Sequence, residues 1–318
     1  MLTLCLALAL PQDPAPARAE VLPEPQLVTA RTLADHQRLD TLQRPGVVLF
    51  REDFESDDAF SHFFEVRGEE DGRAVLTRDP HLAHSGSGAL QLTAPARDGA
   101  SSGAGVSGWL GGDPQRRLHL RYWLKWAVDY DQGDLNHTGG CLVGVAGDDK
   151  WAGMGTAGIR PKGDDHFSAS FETWIDWRRL AAPGYAFLYT YWMDMKRDRD
   201  GHFWGNLLSP EPEDRVIPRR DRWTCFELMV NANTPGAFDG ELATWIDGRL
   251  YMHWQGLRLR STAAVTLRRI GLDIYVHHAR RDNRVWFDDV LVSTGYIGIT
   301  DPPRESPAEL RPPKRSGQ

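Results

Sequence analysis

Over residues 47–298 the apolar side chains recur mostly at every second position, and that feature limits what the chain can fold into. The segments GVVLFREDFES, RAVLTRD, GALQLTAP, RLHLRYWLKWAV, HFSASFETWIDW, YAFLYTYWMDM, WTCFELMVNAN, ELATWIDGRLY, RRIGLDIYVHHA and RVWFDDVLVS all carry it. Clusters of Gly, Pro, Asn and Asp separate them. A strand places successive side chains on opposite faces, so each segment has one face for a core and one for solvent or a neighbour. A helix-built core needs a period near 3.6, and no long segment here has it. About ten such strands predict an all-β protein, two antiparallel sheets packed face to face.

The alternation also assigns faces. In FSASFETWID, Phe167, Ala169, Phe171, Thr173 and Ile175 belong in the core, whereas Ser168, Ser170, Glu172, Trp174 and Asp176 fall on the opposite face. In YAFLYTYWM, Ala186, Leu188, Thr190 and Trp192 face the core, and Tyr185, Phe187, Tyr189 and Tyr191 face away from it. An aromatic row on a non-core face is either the floor of a cleft or an edge covered by the N-terminal arm. Arg121, Trp123 and Lys125 share one strand face, which lies either toward a cleft or equally on the outer convex surface, and His277 shares the face of Asp273 and Tyr275.

The two ends of the chain differ from this middle. Residues 2–10 are apolar but too short to span a bilayer, and Ala17-Arg18-Ala19 is a small-x-small cleavage pattern. Residues 1–19 thus read as a secretory signal, which places the mature chain in a secreted or periplasmic setting with no membrane span. Residues 20–46 read as an arm or linker with a short helical pattern, TARTLADHQRLDTLQ. Residues 299–318 read as a disordered Pro-rich tail. A net charge of −7 provides no global basic field for nucleic acid. The 12 Trp are an unusual number; indole faces stack well on sugar rings, although the majority are expected in the core. Cys141 and Cys225 either pair in an oxidising compartment or stay as two buried thiols, and neither has the CxxC partner of a zinc site. Nothing in the sequence calls for a partner subunit, and a monomer is expected.

Residues 130–147, YDQGDLNHTGGCLVGVAG, read as a glycine-rich turn after a clear strand, with His137 inside it. A histidine in such a turn is more often a solvated loop residue than a catalytic one.

The order of these segments changes that balance. LRYWLKWAVDYDQGDLNHTGG, a Ser-rich strand, YTY followed by HFWGN, then WTCFELMVNANTPGAFDGELATWIDG and VWFDDVLVS together resemble the family 14 polysaccharide lyases and their relatives. The resemblance covers residues 47–298, and its most specific part is residues 231–248. It implies a concanavalin A-like β-jelly roll that cleaves polyuronides by β-elimination. In that family a Gly-Gly-Lys-Leu-Pro-Gly segment supplies a catalytic lysine. Here Leu135-Asn136-His137-Thr138-Gly139-Gly140 takes its place, with His137 at the lysine position. The family's Tyr-x-Tyr pair is matched by Tyr189-Thr190-Tyr191. Its Ser-x-Arg is not matched: Ser168-Ala169-Ser170 or Ser170-Phe171-Glu172 stands there without the arginine.

β-Elimination on a uronic acid needs a group for the C6 carboxylate, a base for the C5 proton and an acid for the departing O4. His137, Tyr189 and Tyr191 are the expected proton-transfer groups, with no cofactor required. Asn136, Arg121 and Lys125 are candidates for the carboxylate, and Ser168, Ser170, Glu172, Trp174 and His277 for further substrate contacts. His277 is also a second candidate base. Two other classes remain open. Glu172 and Asp176, four residues apart in ETWID, are the pair a jelly-roll glycoside hydrolase would use. Trp174, Tyr189 and Tyr191 would serve a non-catalytic carbohydrate-binding protein as a stacking platform. EDFES near the start and FDDV near the end place Glu55 and Asp289 as candidate ligands of a structural calcium, although calcium takes about six to eight oxygen ligands.

Overall fold

The alternating segments are strands. The computed structural model describes residues 22–28, 41–97, 100–133 and 135–300. The signal segment, most of the helical pattern in the arm and the tail from residue 301 lie outside the described residues. In chain order the strands are β1 (Gln26–Val28), β2 (Val48–Glu52), β3 (Glu65–Arg67), β4 (Ala74–Thr77), β5 (Ala89–Ala94), β6 (Ser102–Trp109), β7 (Arg117–Trp126) and β8 (Asn136–Ala146). They continue with β9 (His166–Trp174), β10 (Tyr185–Tyr191), β11 (Asn206–Leu208), β12 (Thr224–Asn231), β13 (Gly240–Ile246), β14 (Arg249–Leu257), β15 (Val265–Val276) and β16 (Asn283–Ser293).

Two antiparallel sheets form a jelly roll. The nine-stranded sheet runs β1-β14-β13-β12-β7-β16-β5-β4, with β2 also paired to β16. The seven-stranded sheet runs β11-β10-β9-β8-β15-β6-β3. Their inner faces make one core in which Phe171, Leu188, Phe226, Leu228 and Ile246 are buried. Phe171 meets Phe226 edge-on at 5.0 Å, and the Tyr122 hydroxyl donates to the Phe171 carbonyl at 2.7 Å. The Tyr122 hydroxyl is therefore satisfied within this layer, and truncating Phe171 to Ala would cost about 3–5 kcal/mol.

Residues 136–146 are not a turn. They form the long central strand β8, hydrogen-bonded to β9 and β15. A Cβ on Gly140 would lie 2.4 Å from the Tyr122 ring, and one on Gly139 would lie 2.1 Å from the Phe171 carbonyl oxygen. The glycines are there because bulky core groups and a neighbouring backbone fill the space of a side chain, not because the chain reverses. β6, whose SGAGVSGW also has turn-like composition, is a strand of the same kind.

The aromatic row of β10 lies on the outer face, but its first members are covered. Tyr185 and Phe187 are buried, with the Arg215 guanidinium 4.1 Å over the Tyr185 ring and Ser209 within hydrogen-bond distance of its hydroxyl. Among the described residues the cover over Tyr185 is the segment after β11. The described part of the arm instead adds β1 to the edge of the other sheet.

The cysteines cannot meet. Cys141 lies on the outer side of the seven-stranded sheet and Cys225 on the outer side of the nine-stranded one, and no disulfide joins them. Among the described residues no helix is long and apolar enough to cross a membrane.

Candidate active site

His137 is the second residue of β8 and points to the outer face, opposite the inward Thr138. Glu172 on β9 points the same way, one strand across. His137 Nδ1 and Glu172 Oε2 are 2.9 Å apart. The His137 side chain is 33% exposed and that of Glu172 only 7%, so the pair opens on one side alone, through the imidazole. Burial pulls the His137 pKa down, but the charge and hydrogen bond of Glu172, helped by the charge of Asp273, raise it above the ordinary histidine value.

Aromatic and titratable groups surround the imidazole. The Tyr189 ring centre is 4.7 Å away, that of His277 5.8 Å and that of Tyr275 6.2 Å. The Tyr189 hydroxyl accepts from the Gly205 backbone N–H at 3.0 Å and lies 3.4 Å from the Tyr191 hydroxyl. Burial, reinforced by Tyr191, holds the Tyr189 phenol well above the ordinary tyrosine range. It stays protonated and can act as a proton donor. His277 is shifted the other way, by burial and by the positive charge of His137.

A cavity of about 220 Å³ opens beside the pair. It is lined by Arg67, His137, Gly139, Gly140, Cys141, Ser170, Glu172, Asp273 and Tyr275. Burial pushes the Cys141 thiol up to about 12, so it stays a neutral thiol in the wall. Ser168 and Ser170 sit half-exposed on β9, directly across from Tyr191 and Tyr189. Trp174, the last residue of β9, packs against Trp177 and Tyr185. His137, Tyr189, Tyr191, Ser168, Ser170, Glu172, Trp174 and His277 thus share one face of one sheet.

Other expected site residues do not. Arg121 and Lys125 belong to β7 in the opposite sheet and point to its outer side. There Arg121 is fully buried, and Lys125 donates to the His81 carbonyl at 3.0 Å between the Trp223 and Trp286 rings. The alternation gave them one shared face but could not say to which sheet it belonged. Asn136 precedes His137, so strand geometry turns it inward, and it is buried. Asp176 does not share a strand face with Glu172. β9 ends at Trp174, and Asp176 has φ 47° in the following turn, within 3.6 Å of Arg179 and 3.7 Å of Arg215. That removes the carboxylate pair a hydrolase would draw from ETWID.

Glu55 and Asp289 do not fit a calcium site. Glu55 accepts from the N–H groups of Ser87 and Gly88, and Asp289 from the Ser85 hydroxyl with His84 Nδ1 at 2.6 Å. Their oxygens are committed to protein donors, and no group of three or more metal-binding side chains occurs among the described residues.

Sequence reasoning left Arg67 and Cys141 out of the site, and used Asp273 and Tyr275 only to place His277. Asp273 and Tyr275 were visible as the outward residues of GLDIYVHHA. Arg67 was not, because three-residue β3 carries too short a pattern to be read.

Three solved structures share this architecture. The PL-14 alginate lyase of Aplysia kurodai is 17% identical, with a TM-score of 0.58 over 77% of this chain and 98% of that one. Alginate lyase vAL-1 of Chlorella virus is 13% identical, with a TM-score of 0.58 over 78% and 99%. The endo-β-1,4-glucuronan lyase of the fungus Trichoderma reesei is 14% identical, with a TM-score of 0.53 over 80% and 98%. The chain shares the jelly-roll fold of these lyases. No family model and no curated protein matches the sequence itself. At 13–17% identity this likeness is one of fold, and the site residues have to be argued from their own geometry.

Proposed function

We propose that the protein is a polysaccharide lyase that cleaves a uronic-acid-containing polysaccharide by β-elimination, outside the cytoplasm and as a monomer. The observation that supports this most is the His137–Glu172 pair facing the Tyr189 phenol beside an open cavity. Glu172 occupies Nδ1, which leaves Nε2 of the neutral imidazole as the basic nitrogen. His137 takes the C5 proton, the electron pair forms the C4=C5 double bond, and the C4–O4 bond breaks. Tyr189 gives its proton to the departing O4, and the proton on His137 returns to the phenolate through Tyr191 or solvent. Two side chains of this chain thus supply both proton transfers. Each contributes by being positioned and by its tuned proton affinity.

A panel of polyuronides tests the reading through the ultraviolet absorbance of the unsaturated uronate product. New absorbance that disappears in His137→Ala supports it. New reducing ends without that absorbance would instead mean a hydrolase. Binding with neither product would mean a carbohydrate-binding module that uses Trp174, Tyr189 and Tyr191 as stacking surfaces.

A further inference from the structure

The cavity beside His137 is crossed by one row of residues. Antiparallel pairing aligns Arg67 on β3 with Gly105 on β6, Gly105 with Asp273 on β15, Asp273 with Gly139 on β8, and Gly139 with Glu172 on β9. Side chains in such a row lie side by side on one face. Charged residues and glycines therefore alternate across five neighbouring strands, and each glycine leaves a gap. The gap at Gly105 is filled by a contact: Arg67 Nη2 reaches over it to Asp273 Oδ1 at 2.7 Å. A Cβ on Gly105 would lie 2.1 Å from that same oxygen. Gly139, where a Cβ would meet the Phe171 carbonyl oxygen, carries no side chain and forms part of the cavity lining.

We propose that Arg67 is the group that recognises the substrate's carboxylate and makes the site select uronic-acid chains over neutral ones. The inference rests on the lyase reading of the site. Arg67 is a cation lining the cavity, and the arginine the family resemblance led one to expect on β9 is missing. Its side chain is 46% exposed, so part of the guanidinium still faces the cavity after the bond to Asp273. A guanidinium carries five N–H donors in a planar fork and can hold Asp273 and a second carboxylate together. Burial and the nearby Glu172 and Glu65 carboxylates push the Asp273 carboxyl up, against the pull of Arg67. Arg67 is thus a specificity-determining residue, and proton transfer stays with His137 and Tyr189.

The test measures binding of uronate tetrasaccharides prepared from alginate and from glucuronan, and of the same tetrasaccharides with their carboxyls reduced to alcohols. Wild-type protein and Arg67→Gln are compared by calorimetry, with thermal unfolding confirming that both fold. The expected result is a wild-type preference for at least one acidic form that Arg67→Gln weakens by about tenfold or more, the loss of a charge-assisted hydrogen bond, with no change for the reduced form. Arg67→Lys should restore part of the affinity. Equal loss for acidic and reduced sugars would mean that Arg67 only holds the sheet edge, and the proposal falls. It also falls if Arg67→Gln binds like wild type, or if wild type prefers neither form. If the preference and its loss are seen but wild type forms no unsaturated product, carboxylate recognition stands and the lyase chemistry fails.

Discussion

The two outer faces of the sandwich each carry a histidine tied to a glutamate, and the two pairs behave in opposite ways. On the seven-stranded sheet His137 and Glu172 are 2.9 Å apart. On the nine-stranded sheet His119 and Glu227 are 2.8 Å apart. His119 is fully buried against Trp245 and Tyr296, and Glu227 also accepts from the N–H groups of Ile297 and Gly298. Burial drives the His119 pKa down despite its glutamate, whereas the glutamate of His137 prevails over burial and drives the pKa up. A histidine–carboxylate contact is therefore not a site by itself. The first pair opens on a cavity. The second fastens the segment after β16 to the sheet.

Exchanging the fates of the two pairs is the sharpest way to break this comparison. His137→Ala should lower turnover on the true polyuronide by about 10²–10⁴-fold, the usual worth of a positioned acid–base group. Its unfolding midpoint in denaturant should move far less. A variant with full turnover would remove His137 from the chemistry. Glu227→Ala should do the reverse. It strands the buried His119 ring N–H and two backbone N–H groups, and each buried donor left without a partner costs about 1–3 kcal/mol. Equilibrium unfolding in urea should show that loss, while activity per folded molecule stays at the wild-type level.

A smaller effect separates the two pairs by pH. His137 acts as a base only when neutral, so kcat/KM should rise with pH through a midpoint above that of an ordinary histidine. Glu172→Gln removes the charge that raises the midpoint, so the profile should move to lower pH. A profile that stays in place would show that Glu172 does not tune the base. The smallest effect is on stability. A pKa raised by folding means that the His137 contribution is fully present below the unfolded value of about 6.5 and is lost as pH rises through the folded value. For His119, whose pKa is lowered, the contribution is present above about 6.5 and is lost as pH falls. The stability gap between wild type and His137→Ala should accordingly narrow from acidic to alkaline pH, and that between wild type and His119→Ala should widen. Unfolding curves at a series of pH values check both slopes.

The inward residues Phe171, Leu188, Phe226, Leu228 and Ile246 were legible because a strand's period of two is local and each segment declares it. The outward groups on β9 and β10 were legible for the same reason. Strands β6 and β8 were not, since their glycines mimic turns until the Tyr122 ring and the Phe171 carbonyl are seen to fill the missing side-chain space. Arg121 and Lys125 had the right chemistry on the wrong sheet, and Asp176 had the right spacing past the end of its strand.

The sequence by itself determined the fold class and which face of each strand is apolar, because alternation is written along the chain. Only the tertiary structure decided which strands lie side by side. That choice brings Glu172 to His137 and Arg67 across Gly105 to Asp273, contacts 35 and 206 residues apart in sequence. It also places His119 under the C-terminal segment and leaves His137 open. No local pattern encodes such pairings, since they depend on how the whole chain closes its two sheets around one core.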